Sequence, residues 1–196
     1  MSQRLKKEIP FIVKTSLLFC ALSAAFSVAG ILLPEKAALH NPVGGLNLHE
    51  IGGHLFWGLV AGAAFMSARY AIVTGFFAVL IDSDHAIALF HVDALARMSH
   101  SFAFGAIAIA VLMSVFGKRD YRLGAAAFAG LLSHLSFDAF SGGDSSFPLF
   151  TPFYNHAIMF PSADWVYFEI AAVAVAGVAS LIYSRRVLEK EKTAKA

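Results

Sequence analysis

Cysteine is almost missing: Cys20 is the only one in 196 residues, and it lies inside an apolar run. No thiolate zinc site and no internal disulfide can be built from a single thiol. Charge is scarce as well, at 14% Asp, Glu, Lys and Arg, where an ordinary soluble domain carries about a quarter. The net charge of +2, with no basic patch interleaved with aromatics, excludes a nucleic-acid surface. Proline is limited to 6 residues, and there is no repeat or low-complexity tract, which excludes a disordered chain.

What fills the sequence instead is hydrophobic side chains, 58% of the total, with 19 Phe. They are gathered into runs that are apolar all round rather than on one stripe, each near the ~20 residues a helix needs to cross ~30 Å of hydrocarbon. Six such runs stand out: Phe11 to Leu33, Ile51 to Ala68, Tyr70 to Phe90, Phe102 to Gly117, Leu123 to Phe140 and Trp165 to Tyr183. The expected fold is all-α, a polytopic membrane helical bundle of about six transmembrane helices, with short connections that make neighbours antiparallel. Its organisation is read as a first helix and outer loop (1–49), a four-helix core (50–163), and a last helix with a charged tail (164–196).

The basic residues set the orientation. All Lys and Arg except Lys36 and Arg97 fall at one end of the spans, so the positive-inside rule places both termini in the cytoplasm and the chain in the cytoplasmic membrane. All 8 histidines then fall at the opposite, extracytoplasmic end. The first run also resembles a signal peptide, with Ser27-Val28-Ala29 as a cleavage site; its length favours an uncleaved anchor.

An ionisable residue inside a membrane segment costs about 3 kcal/mol even on translocon scales, so each is a functional candidate. Here they cluster. Asp82-Ser83-Asp84-His85 closes the third run, Ser99-His100-Ser101 opens the fourth, and His134 and Asp138, four apart and so on one helix face, close the fifth. His54 enters at the same depth. Three carboxylates gathered among imidazoles require either raised pKa values or cations. An N/O donor set without thiolate suits one or two divalent ions, Zn²⁺ ahead of Mn²⁺, Fe²⁺ or Mg²⁺. His40, His91 and His156 read as wet interfacial residues. His49-Glu50-Ile51-Gly52-Gly53-His54 falls short of the zinc HExxH motif because its histidines are five apart, leaving Glu50 a weak candidate for a base. The Ser141 to Pro148 stretch reads as a flexible turn, and Phe147 to Phe153, Tyr154 and Trp165 as an interfacial aromatic belt.

Leu80-Ile81-Asp82-Ser83-Asp84-His85, Ser99-His100-Ser101 and Gly130-Leu131-Leu132-Ser133-His134-Leu135-Ser136-Phe137-Asp138, followed by Gly142-Gly143 and Phe147-Pro148, resemble in order and spacing the YdjM-like membrane-bound metal-dependent hydrolase family. The resemblance runs from about His54 to Phe153. It implies a metal site made of His54, Asp82, Asp84, His85, His100, His134 and Asp138. Ile81 stands where that family has proline, and Leu95 where it has a histidine before the Ser-His-Ser segment; Arg97 is the nearest arginine.

The expected function is a metal-dependent hydrolase acting on a membrane-embedded ester, a lipid phosphoester ahead of a carboxylic ester, at the outer leaflet. Asp84 or Asp138 would act as base, and Arg97 and Ser101 would contact the substrate. A lipid or lipid-linked substrate in the bilayer is the expected partner. The alternatives are a metal- or proton-coupled transporter and a non-catalytic protein with a structural metal.

Overall fold

The computed structural model describes residues 3–32, 41–42, 47–90, 94–117, 120–143 and 145–195. His40, His91, Lys36, Lys118 and Arg119 lie outside the described residues. Among those described, six α-helices make up the fold: α1 (Gln3–Ala29), α2 (Leu48–Ala63), α3 (Ala68–Leu80), α4 (Phe102–Phe116), α5 (Tyr121–Ser141) and α6 (Trp165–Lys195). Two antiparallel ladders accompany them. Strand β1 (Asn41–Pro42) pairs with β2 (Ala94–Leu95), and β3 (Ser145–Phe147) with β4 (Ile158–Phe160). Strand β3 of the second ladder lies in the Ser141 to Pro148 stretch expected to be a flexible turn.

Helix starts follow capping chemistry. The Asn47 side chain accepts a hydrogen bond from Glu50 N at 2.9 Å and opens α2, and Ser101 Oγ accepts from Phe104 N at 3.1 Å and opens α4. Among the described residues, three segments are long and apolar enough to cross a bilayer: Glu8–Leu32, Tyr121–Ser141 and Ser162–Ala194. Helices α2, α3 and α4 have 16, 13 and 15 residues. Each therefore rises about 20 to 24 Å, less than the hydrocarbon thickness. The second expected run stops early, at Ala63, where Met66 (φ 52°) turns the chain into α3.

The third expected run changes form midway, with α3 giving way at Ile81 to a 3-10 helix over Ile81–Phe90. The switch falls on Asp82-Ser83-Asp84, whose short polar side chains compete with regular helix bonding. Ser83 Oγ donates to Cys20 O at 3.0 Å, which ties the new helix to α1.

Helix α5 is the axis of the bundle. Its apolar window is 78% buried, against 28% for α1 and for α6. The outward faces of those two carry exposed Leu17, Ile170, Val178 and Leu181, a composition suited to a hydrocarbon surrounding. Close approach at two glycines sets the helix spacing. A Cβ on Gly130 of α5 would meet Phe77 Cβ of α3 at 2.8 Å, and one on Gly58 of α2 would meet Ala78 Cβ and Gly75 Cα at 2.8 Å. Gly58 lies one turn after His54 and Gly130 one turn before His134, so both helices seat their histidines against the same end of α3.

The other end of the bundle holds two ion pairs, Arg69 with Glu8 and Arg122 with Asp120. Arg69 is hydrogen-bonded to Glu8, with Nη2 to Oε1 at 2.8 Å, while Asp120 accepts from Tyr70 and, at 3.0 Å, from Arg122 Nε. Burial pushes the Asp120 carboxyl up, but its bonds to Arg122 and Tyr70 outweigh this and hold it below its ordinary value.

Gly130→Val, which forces α5 off α3, is expected to destabilise the protein by about 1–3 kcal/mol. Gly52→Ala, where a Cβ meets nothing within 4 Å, should leave the unfolding midpoint unchanged or raised. Thermal unfolding of both variants in the same detergent checks this; equal losses would contradict the close-packing account.

Candidate metal centre

Four segments carry the expected ligands to one point. The end of α3 and its 3-10 continuation bring Asp82, Asp84 and His85; the turn before α4 brings His100; α5 brings His134 and Asp138; α2 brings His54. In a 3-10 helix residues three apart eclipse one another. Asp82 and His85 accordingly face the same way, with His85 Nε2 3.2 Å from Asp82 Oδ1. His54 Nε2 lies 3.3 Å from both Asp82 Oδ2 and Asp138 Oδ1, and His134 Nε2 lies 3.2 Å from Asp138 Oδ2. The rings of His54 and His134 stack at 4.0 Å.

These separations have a simple geometric meaning. Ligand atoms about 2.0–2.1 Å from a tetrahedral ion stand roughly 3.3 Å from each other. His54, His134 and Asp138, supplemented by Asp82 Oδ2, present edges of that length. Among the described residues there are three overlapping donor groups, the ligand atoms of each within 4.8 Å of one another: His54/His134/Asp138, Asp82/His100/His134 and Asp82/Asp84/His85.

Hydrogen bonds behind the rings decide which nitrogens face inward. His134 Nδ1 sits 2.7 Å from Ala78 O and donates to it, so Nε2 turns its lone pair into the cluster. His100 Nδ1 lies 3.0 Å from Ser99 Oγ, and its Nε2 lies 2.9 Å from His134 Nε2. Two imidazole lone pairs so close repel each other unless a proton or a cation lies against them. His54 is 1% exposed, and neither of its ring nitrogens has a hydrogen-bond partner among the described residues; Asp84 Oδ1 is likewise buried and without one. Unsatisfied buried donors and acceptors on this scale are what a bound divalent ion would relieve.

Helix α1 forms part of the wall. Ser27 Oγ donates to Asp84 Oδ2 at 3.0 Å, accepts from Ser99 N at 3.3 Å and lies 3.0 Å from Ser99 Oγ, while Ser23 Oγ donates to Ile81 O at 2.6 Å. Reading the sequence by its acids and histidines misses this contribution. The signal is present as Thr15, Phe19, Ser23 and Ser27, spaced four apart and all fully buried, a single face of an otherwise lipid-like helix. The same bonds bear on the signal-peptide reading: a chain cut after Ala29 would lose Ser27 from Asp84.

Other expected residues find varied places. Arg97 is inside the cluster, its Nη2 bonded to Asp82 Oδ1 and in contact with His85 Nε2 at 3.1 Å and His100 Nε2 at 2.7 Å. Ser101 is fully buried, and the hydroxyl expected to contact substrate caps α4 instead. Glu50, discounted on sequence spacing, lies at the mouth with Oε2 3.8 Å from His54 Nε2 and its side chain 36% exposed. His49 and His156 are exposed and outside the donor groups. Comparison with protein-family models, curated proteins and solved structures finds no match to the chain.

Zn²⁺ added to chelator-stripped protein is expected to raise its unfolding midpoint, by about 2.7 kcal/mol of stability at a hundredfold excess over Kd. His54→Ala, which removes one of the ligand atoms, should weaken Zn²⁺ binding at least tenfold, removing roughly 1.4 kcal/mol or more of that gain at the same zinc concentration. A midpoint indifferent to zinc contradicts the reading of these residues as ligands.

Proposed function

We propose that the protein is an integral membrane metal-dependent hydrolase that cleaves a lipid-linked ester, a phosphoester by preference, at the outer leaflet. The observation that carries this reading is the buried cluster of inward-facing imidazoles and carboxylates at ligand-to-ligand spacing, with orphaned donor atoms, at the end of the bundle away from Arg69 and Arg122. The six helices act as transmembrane or membrane-embedded elements, and both termini lie in the cytoplasm by the charge asymmetry. The motif order shared with YdjM-like hydrolases supports the same assignment.

His54, His134, Asp138 and Asp82 would hold the ion. When bound, a divalent cation there supplies Lewis acidity, lowering the pKa of water and offsetting charge that grows on a substrate oxygen. The chain's own groups do the rest. Both oxygens of Asp138 face histidines, so Asp138 serves as a ligand, and Asp84 is fully buried behind Ser27 and Ser99. Glu50 is the carboxylate that combines nearness to the ligand atoms with exposure, and we assign to it the removal of a proton from water and its release outward. Exposed apolar Leu48, Phe90 and Phe140 lie within six residues of cluster members in the sequence, a composition that suits acyl chains better than a soluble polymer. Phe19, Phe77, Phe104 and Leu131 fill the core on the inner side of the cluster, where the buried polar residues Thr15 and Thr74 carry hydroxyls and not the ionisable groups a coupled transporter would need.

Purified protein reconstituted into liposomes is expected to release product from an outer-leaflet phospholipid or polyprenyl phosphate, to stop with chelator and to resume with Zn²⁺ or Mn²⁺. Asp138→Ala should lower turnover by 10²-fold or more, and Glu50→Gln by about 10²-fold with metal content unchanged. Uptake of substrate without cleavage would identify a transporter instead.

A further inference from the structure

The donor set is large enough for two ions, yet one of the two positions is already filled by the chain itself. We infer that the centre takes a single divalent cation, at His54/His134/Asp138, and that the guanidinium of Arg97 stands in the place of a second. This rests on the metal-centre reading above and adds the number of ions and their position.

Two independent observations support it. The first is geometric. Arg97 Nη2 touches Asp82 Oδ1, His85 Nε2 and His100 Nε2, the atoms that a second ion would need at 2.0–2.2 Å, so nitrogen and ion compete for one volume. Arg97 Nε also lies 3.8 Å from Asp84 Oδ2. The inward atoms of His54, His134 and Asp138 carry no such contact from Arg97. Nor is the arginine a loose arm. Its backbone is left-handed, φ 46° and ψ 43°, a region that disfavours side chains, and neighbours hold it there on both sides. Ala94–Leu95 is paired with Asn41–Pro42, fully buried Ala96 packs against Gly30, and Met98–His100 forms the next 3-10 turn.

The second observation is charge. Asp82, Asp84 and Asp138 bring three negative charges to the donor set and Arg97 one positive, leaving a deficit that a single divalent ion cancels; Glu50, its side chain 36% exposed, lies outside this set and is screened by water. Two divalent ions beside the guanidinium would leave a surplus of two positive charges in a buried site, which is strongly unfavourable. Removing Arg97 reverses the balance and opens a second oxygen- and nitrogen-lined position.

The test is the metal content of full-length protein in detergent, loaded with excess Zn²⁺ and desalted, read by elemental analysis against protein concentration. The wild type and Arg97→Lys are expected to hold one ion per chain. Arg97→Gly, which suits the left-handed backbone, is expected to hold two, with Arg97→Gln as a second variant should the glycine chain be unstable. Two ions in the wild type, or one in folded Arg97→Gly and Arg97→Gln, would overturn the inference while leaving the metal centre standing. No bound ion in any of these proteins would overturn the metal reading and this inference together.

Discussion

Two carboxylates removed from water, Asp82 and Asp84, with partly exposed Asp138 beside them, set the constraint at one end of an apolar bundle. Burying an ionised carboxylate without compensation costs several kcal/mol even after relaxation, a large share of a marginally stable domain's total for each group. Arg97 answers part of the demand, and inward-facing imidazoles at ligand spacing mark where a divalent ion answers the remainder. Much of the surrounding structure can be understood as holding these groups still.

That support is largely backbone. Gly58 and Gly130 let α2 and α5 lie on α3 closely enough for Ala78 O to orient His134, and a side chain at either glycine would collide with α3. The change from α-helix to 3-10 helix at Ile81 turns Asp82 and His85 to one side and leaves Asp84 to Ser27 and Ser99. Helix α1 then contributes hydroxyls rather than charge, which a helix with lipid on its other face can carry at little cost because each is hydrogen-bonded. At the opposite end, Glu8 pairs with Arg69 and Asp120 with Arg122.

Much of this is legible in the sequence, and the misses have physical causes. Helix number and order follow from the length of the apolar runs, and the grouping of His54, Asp82, His100, His134 and Asp138 follows from their shared depth at helix ends. Hydropathy overstates the helix lengths because it does not register where the backbone changes form: the run through Phe90 is apolar on both sides of Ile81, but only its first half is α-helical. Ser27 escapes notice because a serine in an apolar helix has no distinctive pattern until its partner is known. The five-residue spacing of His49 and His54, weighed as a motif, undervalues Glu50, whereas the relevant pair is Glu50 and His54, one turn apart on α2. Charge alone places Arg97 near the substrate; its left-handed backbone, which aims it into the cluster, leaves no trace in a non-glycine sequence.

The central claim is that these imidazoles and carboxylates form a cation-binding centre. X-ray absorption at the zinc edge of full-length, zinc-loaded protein tests it most directly. The account predicts a low-coordinate first shell of nitrogen and oxygen at about 2.0–2.1 Å with the outer-shell scattering of at least two imidazoles, lost in a His54→Ala/His134→Ala double variant. An all-oxygen shell without imidazole scattering, unchanged in that variant, would contradict it.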